Sequence, residues 1–386
     1  MSAATLTLDA LRLPAPPRSD AAEALRQEVR AFLAQALATR TPEEKAQSWS
    51  GHDAAFSREV GKRGWIGMTW PKRYGGHERS ALERYVVLEE MLAAGAPVAA
   101  HWIADRQSGP TLLKFGSEAQ RRLALPRIAA GECTFCIGLS EPDSGSDIAS
   151  IRTRARSTEG GFLVTGTKVW TSKAHCADYM LLFCRTDAPG DDRHAGFSQF
   201  LVDMKTAKLS IRPIHDLAGG HHFNEVVFDD TFVPADMLVG ELGQGWRQIT
   251  SELAYERSGP ERFLSSFAVL VELVRLLEKS PSERAEIAVG RIAAHIATLR
   301  RLSRSIAGLL QEGADPALPA ALVKDLGTTL EQEIPEIARL LVEDGRADRV
   351  FLAVLGHTIL HAPSFSLRGG TREILRGMIA RGIGLR

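Results

Sequence analysis

The chain has 386 residues, of which 44% are hydrophobic and 24% charged, and its 47 basic and 47 acidic side chains give a formal net charge of zero. This composition excludes a disordered or fibrous protein, and the length is sufficient for two or three hydrophobic cores. The balanced charge creates no overall field that would attract nucleic acid or an anionic membrane. We therefore expect a small-molecule ligand whose charges are bound by local groups.

The N-terminal sequence and the cysteine content indicate the compartment. The chain does not open on a basic run followed by an apolar segment, and no stretch of about 18 apolar residues is present to span a membrane. The few cysteines favour a reducing compartment, so we expect a soluble, cytoplasmic protein. Cys133 and Cys136 form a C-x-x-C motif, but no second pair follows to complete a zinc site, and we interpret them as structural.

Residues 1–133 are predicted to form an N-terminal helical domain. Apolar side chains recur there at helical spacing, for example at Leu25, Val29, Phe32 and Leu33. A loop rich in Gly and Pro, G-W-I-G-M-T-W-P-K-R-Y-G-G at 64–76, separates the helices.

Residues 134–241 are predicted to form a central β domain. Runs such as F-L-V-T-G-T-K-V-W-T and Y-M-L-L-F-C-R are strand-like, and turn signals recur roughly every eight to twelve residues, which is typical of a small barrel or sandwich. Residues 242–386 return to a helical period. Several long helices with short connections indicate a C-terminal helical bundle.

Two segments resemble the flavin-binding signature of the acyl-CoA dehydrogenase family. They are C-I-G-L-S-E-P-D-S-G-S-D at 136–147 and G-T-K-V-W-T-S-K-A at 166–174. The segment at 219–241 and the terminal G-G-T-R-E-I-L-R-G-M-I-A-R at 369–381 resemble the same family, so the resemblance covers nearly the whole chain. It implies an α+β fold with an N-terminal helical domain, a central β-barrel or sandwich domain and a C-terminal helical bundle. It also implies FAD as the cofactor.

The first signature segment contains mostly small residues between Ser140 and Ser146. Such residues leave backbone N–H groups and hydroxyls accessible to a phosphate or a planar ring, although the segment by itself is also typical of a turn. The resemblance implies that the flavin is contacted by Ile137, Leu139, Ser140, Gly145, Trp170, Thr171 and Ser172. Trp170 would stack at the ring, and Ser172 would offer its hydroxyl and N–H to the N5 and O4 region. Ser146 would contact the pantetheine of the substrate.

The phosphate and ribose end of FAD has fewer matches. The resemblance implies contacts from Thr371 and Glu373 in G-G-T-R-E. Two family elements that hold the adenine half, Arg-x-x-Phe-Gly and Gln-x-x-Gly-Gly, have no counterpart in L-L-E-K-S-P-S-E-R or V-L-G-H-T-I-L-H-A-P-S-F. The adenine half of FAD is therefore bound either by other residues of this chain or by a different chain.

The proton abstraction of this family requires a carboxylate in a dry pocket. Many relatives carry it in a terminal Tyr-Glu-Gly-Thr motif, but L-R-G-G-T places Gly369 at that position. Other relatives carry it directly before an Arg on the helix that opens the C-terminal domain, and Glu256-Arg257 matches that pattern. The resemblance thus implies Glu256 as the catalytic base, with Tyr255, Arg257, Gly369 and Gly370 at the substrate.

A Gly-Pro pair follows this Glu-Arg pair at Gly259 and Pro260. Proline has no N–H, so a helix running straight through would lose the bond to the Glu256 carbonyl and would kink. Two interpretations stay open. The break either aims Glu256 into a pocket and widens that pocket, or it is a bend between two helices.

The adjacent histidines His221 and His222 suggest a metal pair. Successive side chains on a strand point to opposite faces and cannot bind one ion, so we predict no metal site.

The resemblance implies oxidation of an acyl-CoA thioester to the trans-2-enoyl-CoA in lipid catabolism, with electrons passed to an electron-transfer flavoprotein. The expected assembly is a homodimer or homotetramer, or a heterotetramer with an unlike subunit. Two other functions stay open. One is a flavin-poor structural subunit of a heteromeric acyl-CoA dehydrogenase, and the other is a flavin monooxygenase on the same fold.

Overall fold

The computed structural model describes residues 11–187, 191–279, 281–342 and 347–385, and the side chains of 252–256 are outside the described part. The chain divides into two compact units. The first contains Met1–Gly51, Arg79–Val98 and Ala254–Arg386, and the second contains His52–Glu78 and Ala99–Leu253. Each unit thus combines segments that are distant in the sequence. The bounds of the three predicted domains stay a prediction.

The helices before the β region have the bounds α1 (Asp20–Ala36), α2 (Pro42–Gln47), α3 (Ala54–Lys62), α4 (Ala81–Ala93), α5 (Ala99–Ile103), α6 (Gly109–Phe115) and α7 (Glu118–Ala129). A five-residue π-helical turn, Ala104–Ser108, joins α5 to α6. The later helices are α8 (Gly245–Arg257), α9 (Phe267–Leu277), α10 (Glu283–Gln311), α11 (Ala317–Leu341), α12 (Arg349–Phe365) and α13 (Arg372–Gly382).

The strands between these groups are β1 (Phe135–Gly138), β2 (Arg154–Thr158), β3 (Gly161–Ser172), β4 (Tyr179–Arg185), β5 (Phe197–Asp203), β6 (Leu209–Ile214), β7 (Phe223–Pro234) and β8 (Leu238–Val239). They form one sheet in the order β6-β7-β3-β2-β4-β5-β8, and β1 pairs with β4 in parallel. A core of buried side chains lies on this sheet and includes Met180, Leu182, Phe200, Val226 and Phe228. The sheet lies in the second unit together with α3, α5–α7 and the part of α8 up to Leu253.

The first unit packs α1 and α4 together and surrounds α11 with α9, α10, α12 and α13. Helix starts follow the sequence signals: Ser80 and Glu83 form a capping box at α4, as Thr41 and Glu44 do at α2. Gly327 permits a close approach in this unit, since a Cβ on it would lie 2.1 Å from the carbonyl oxygen of Arg262. The helical and β segments confirm the predicted α+β fold class.

The Gly-Pro pair ends a helix and does not kink one. Helix α8 stops at Arg257, Gly259 is extended with φ −78° and ψ 171°, and Pro260 begins a 3₁₀ turn over Pro260–Arg262. Proline is favoured at the first position of a helical turn, because the N–H it lacks would be unpaired there.

Two further features bear on the expectations from the sequence. Among the helices that the structure describes, none is both long enough and apolar enough to cross a membrane. Cys133 and Cys136 are buried free thiols, and burial raises the pKa of Cys133 to about 12.

Candidate functional site

The first predicted flavin segment begins on β1 in the second unit. Ile137 pairs with Leu181 of β4, and Leu139 and Ser140 follow directly after the strand. All three predicted residues are half-buried, so each retains a surface that a ligand can contact. The chain then turns at Glu141, whose N–H donates to the carbonyl of Ser144 over 2.8 Å.

A buried ion pair fixes this turn to β3, which carries the second flavin segment. The Lys168 ammonium donates to Glu141 Oε1 at 2.8 Å and to the Leu139 carbonyl at 3.0 Å. Lys168 is 0% exposed, and Glu141 also accepts the N–H groups of Arg152 and Thr153. Because every charge here is matched by hydrogen bonds, the pair can persist inside the protein. It sets the spacing between the two segments.

The Glu141 carboxylate is ionised in this arrangement. Burial by itself raises its pKa, but the Lys168 ammonium and the hydrogen bonds from Thr153 and Arg152 outweigh burial, so the pKa lies below the ordinary value of 4.5. A charged carboxylate is the form that accepts three hydrogen bonds at once.

Gly145 and Ser146 occupy the exposed side of the turn. A Cβ added to Gly145 would meet nothing within 4 Å, so the space beside its backbone is open. The Ser144 hydroxyl is turned inward and donates to the Asp147 carbonyl at 2.6 Å. Backbone groups at Gly145 and Ser146 are therefore accessible to a ligand, as the sequence predicts.

Trp170 lies on a β-bulge. The register between β3 and β7 shifts between Lys168 and Thr171, and Trp170 has φ +56°, which is unusual for a residue other than glycine. Its side chain is 58% exposed and meets Phe223 edge to face, with ring centroids 5.8 Å apart. Large exposed aromatic surfaces on a strained backbone are typical of binding sites.

The residues after Trp170 offer polar groups. Thr171 is 1% exposed, and its Oγ1 is a buried atom for which no hydrogen-bond partner is found in the described part of the chain. Ser172 is half-buried at the end of β3. An exposed Trp face, open backbone at Gly145 and hydroxyls on the same strand are the features that a flavin ring requires, so the described residues fit this cofactor.

The predicted base lies in the first unit. Tyr255 and Glu256 are in the last turn of α8, and their side chains lie outside the described residues. The side chain of the next residue, Arg257, is described and only 4% exposed. Its Nε donates to the Gly369 carbonyl at 2.9 Å, and its Nη1 lies 3.4 Å from Met378 Sδ. Arg257 therefore ties the end of α8 to the Gly369–Gly370 turn.

Sequence reasoning missed a second cation that binds this turn. Lys324 on α11 is 0% exposed, and its ammonium donates to the carbonyls of Gly370 at 2.6 Å and Ser366 at 3.0 Å. Gly369 and Gly370 have φ +67° and φ +100°, which direct their carbonyls toward the two cations. The only sequence signal is a lysine beside the apolar stripe of α11, and such a lysine is normally solvated.

The other predicted residues of the terminal motif begin α13. The Thr371 hydroxyl accepts from the N–H of Ile374 as an N-cap at 3.5 Å, and Glu373 is exposed. Backbone and Thr371 hydrogen bonds lower the pKa of Glu373. Both side chains have local roles at the helix start, and their contacts with FAD stay a prediction.

His221 and His222 differ from expectation. Strand β7 begins at Phe223, so the two histidines precede the strand instead of alternating along it. Asp216 accepts the N–H of Gly220 at 2.8 Å and closes a turn before them. In the described residues, no group of three or more His, Cys, Asp or Glu is placed to hold a metal.

The chain matches two domain families, the acyl-CoA dehydrogenase N-terminal domain over residues 19–132 and the acyl-CoA dehydrogenase middle domain over residues 136–231. It is 31% identical to acyl-CoA dehydrogenase FadE26 of Mycobacterium tuberculosis, over 94% of this chain and 96% of that protein. It is 40% identical to FadE29 of the same organism, over 60% of each chain.

Solved structures agree with these relatives. The structure named "Tcur3481-Tcur3483 steroid ACAD" has a TM-score of 0.84 and 28% identity, and covers 96% of this chain and 99% of that one. The ChsE4-ChsE5 complex of Mycobacterium tuberculosis has a TM-score of 0.81 and 29% identity over 96% of this chain and 99% of that one. The predicted family is thereby confirmed: the chain belongs to the acyl-CoA dehydrogenases, a family of FAD-dependent flavoprotein oxidoreductases.

Proposed function

We propose that this chain binds FAD and oxidises an acyl-CoA thioester to the trans-2-enoyl-CoA, passing its electrons to an electron-transfer flavoprotein. The observation that carries the proposal is the exposed Trp170 on its bulge, held beside the 139–147 turn by the buried Lys168–Glu141 pair. Because the chain belongs to a family of FAD-dependent enzymes, we interpret this arrangement as the flavin site. A structural protein would not need to expose a Trp side chain on a strained backbone.

Several of the predicted residues have a proposed role in this reaction. Glu256 takes the proton from the carbon beside the thioester carbonyl, as a general base. FAD, when bound, supplies the acceptor for the hydride that leaves the β-carbon. Ile137 and Leu139 would exclude water from the ring, Trp170 would lie against it, and Ser172 would offer it a hydrogen bond. Arg257 holds the end of the Glu256 helix by its bond to Gly369.

The substrate that we propose has a branched or ring-bearing acyl group. Two observations support this. Gly369 stands where many relatives carry the bulkier Glu, and a structure similar over nearly the whole chain is named a steroid acyl-CoA dehydrogenase. Removing that side chain leaves more room for the acyl group.

For the assembly we propose an oligomer that includes an unlike subunit. One similar structure is titled the ChsE4-ChsE5 complex and another carries the paired name Tcur3481-Tcur3483, and the adenine-binding elements of the family have no counterpart in this sequence. The same absence favours the second candidate function, a flavin-poor structural subunit. Glu256 and the Trp170 segment favour the catalytic role.

A visible absorption spectrum of the purified protein tests the choice. We expect a flavin spectrum that is bleached anaerobically by one class of saturated acyl-CoA. Glu256→Gln should retain the flavin spectrum and lower turnover by roughly 10² to 10⁴-fold, the usual contribution of a general base. Glu241→Gln, an exposed carboxylate on the loop before α8, is the matched control and should match the parent.

Two results would contradict the proposal. A Glu256→Gln variant with a near-normal rate would exclude Glu256 as the base. A colourless protein that takes up no FAD, alone or with a candidate partner chain, would establish the structural-subunit function instead.

A further inference from the structure

The backbone is strained at Trp170 and again at Lys173. Trp170 has φ +56° and Lys173 has φ +58°, so two residues other than glycine are left-handed within four positions. Such conformations persist only where the surrounding structure imposes them, and they are concentrated at functional sites. The groups that impose this conformation are therefore candidates for residues that position the flavin segment.

Asn224 on β7 contacts the centre of this segment. Its side chain is 0% exposed, and Nδ2 donates to the Thr171 carbonyl at 3.0 Å. Its Oδ1 accepts from His221 Nε2 at 2.8 Å and from His175 Nδ1 at 3.1 Å. The amide side chain thus joins the strained segment to two imidazoles.

Hydrogen-bond chemistry fixes the direction of every bond in this group. The Thr171 carbonyl can only accept, so the amide nitrogen of Asn224 must face it, and Oδ1 faces the histidines. Since Oδ1 can only accept, His175 carries a proton on Nδ1 and His221 carries one on Nε2. The rings of His175 and His221 also stack, with centroids 4.1 Å apart. The three hydrogen bonds together leave the Asn224 amide one orientation.

A second bond holds the other end of the segment. The Lys173 N–H donates to the His222 carbonyl at 2.9 Å, so the stretch before β7 holds Lys173 in its left-handed conformation. The next residue, Phe223, packs on Trp170. Three successive residues before and in β7 therefore contact the flavin segment: His222 by its backbone, Phe223 by its ring and Asn224 by its amide.

We propose that Asn224, oriented by His175 and His221, is a positioning residue that holds the Trp170–Lys173 backbone in the conformation that presents Trp170 and Ser172 to the flavin. This inference rests on the proposed cofactor site. It assigns a role to the histidine-rich G-G-H-H-F-N-E segment other than metal binding. The segment holds the strand that contacts the cofactor.

The test compares Asn224→Asp and Asn224→Ala with the parent chain. Aspartate has nearly the same shape and still accepts from both histidines, but its carboxylate cannot donate to the Thr171 carbonyl. His215→Ala is the matched control. Its ring lies 5.9 Å from that of His221, and the bonds to Asn224 come from His175 and His221 instead.

We expect both Asn224 variants to bind FAD roughly tenfold to a hundredfold more weakly, in line with the loss of one buried hydrogen bond. Their bound flavin should show a shifted visible spectrum, because Trp170 and Ser172 have moved. His175→Ala, which removes one of the two bonds to Oδ1, should have an intermediate effect. The far-UV circular dichroism of all variants should match the parent.

Unchanged FAD affinity and an unchanged flavin spectrum in both Asn224 variants would overturn the inference. Trp170 fluorescence, measured in the full chain without FAD as the difference from a Trp170→Phe variant, gives an independent answer. It should change in Asn224→Asp even if the parent binds no FAD. Failure of the parent to bind FAD would contradict the proposed function, whereas unchanged fluorescence would contradict the role of Asn224.

Discussion

The Lys168 ammonium lies 2.8 Å from the Glu141 carboxylate, and both side chains are almost completely buried in the second unit. Replacing Lys168 by Met leaves a buried carboxylate without its counter-charge. We expect the free energy of unfolding to fall by about 3–5 kcal/mol, the usual cost of breaking a buried ion pair. Urea unfolding measures this loss. The double variant Lys168→Met with Glu141→Gln should recover part of it, and no recovery would contradict the role of the pair.

The same pair predicts a pH dependence. The pKa of Glu141 is lower in the folded protein than its ordinary value of 4.5. The stabilisation from Glu141 is therefore fully present above that value and is lost as the pH falls through the folded pKa. Unfolding measured across the acid range should show this loss in the parent. Glu141→Gln should remove this component of the pH dependence, and an unchanged profile would exclude Glu141 as its source.

Two arginines of α1 provide a matched comparison. Arg26 is buried and bonds to Glu89 at 2.7 Å and to Glu90, whereas the Arg30 side chain is 56% exposed and bonds to Glu90 at 2.7 Å. Arg26→Met should cost about 1.5–3 kcal/mol, because it removes charge-assisted hydrogen bonds from two buried carboxylates, which then keep only the more exposed Arg300 and Arg30. Arg30→Met should cost about 1 kcal/mol or less. Chemical denaturation measures both, and equal costs would contradict the argument from burial.

The Gly369 turn predicts a backbone effect. Gly369 has φ +67°, so Gly369→Ala should cost about 1–2 kcal/mol of stability by forcing an L-residue into the left-handed region. Gly356→Ala is the control, since it lies in α12 and a Cβ there meets nothing within 4 Å. It should stabilise the protein by about 0.5–1 kcal/mol. Thermal unfolding distinguishes the two, and a neutral Gly369→Ala would mean that the turn relaxes.

Arg257 binds the same turn through the Gly369 carbonyl, which leads to an expectation for catalysis. Arg257→Met keeps an unbranched side chain but loses the bond to the Gly369 carbonyl and the contact of Nη1 with Met378 Sδ. If this bond holds the Glu256 helix end, turnover should fall about tenfold or more while FAD binding stays near the parent value. Steady-state kinetics with flavin quantification tests this, and a normal rate would leave Arg257 with a purely structural contact.

Glu331 predicts the opposite pH behaviour from Glu141. Its side chain is 0% exposed in the first unit. Burial raises the pKa of Glu331, although the Arg368 guanidinium lies 3.0 Å from its carboxylate. A carboxyl with a raised folded pKa reduces stability as the pH rises from about 4.5 through that pKa. Glu331→Gln should abolish this decline, but it also loses one hydrogen bond, because its single amide oxygen cannot accept from both Ser265 and Arg368. A strongly destabilised Glu331→Gln would show instead that the ionised pair supports the fold.

Part of this molecule is readable from local sequence. The run Y-M-L-L-F-C-R, which is predicted to be a strand, coincides with β4, and the capping box of Ser80 and Glu83 at the start of α4 is formed within four residues. These features follow from backbone chemistry within a few residues. The small residues of the 139–147 turn and Trp170, read with the family resemblance, led to the proposal of a flavin site, which stays a prediction.

The tertiary structure decided the partners of the polar side chains. Lys168, Lys324 and Asn224 look like ordinary strand or helix residues, yet each is 0% exposed and donates to backbone carbonyl oxygens of a segment of the proposed site. These carbonyl partners are 29 to 53 positions away in the sequence. The sequence alone fixes the charge and shape of a side chain, and these determine which kinds of bond it can form. Which distant carbonyl it meets depends on how the strands and helices pack, because a buried donor must be satisfied wherever folding places it.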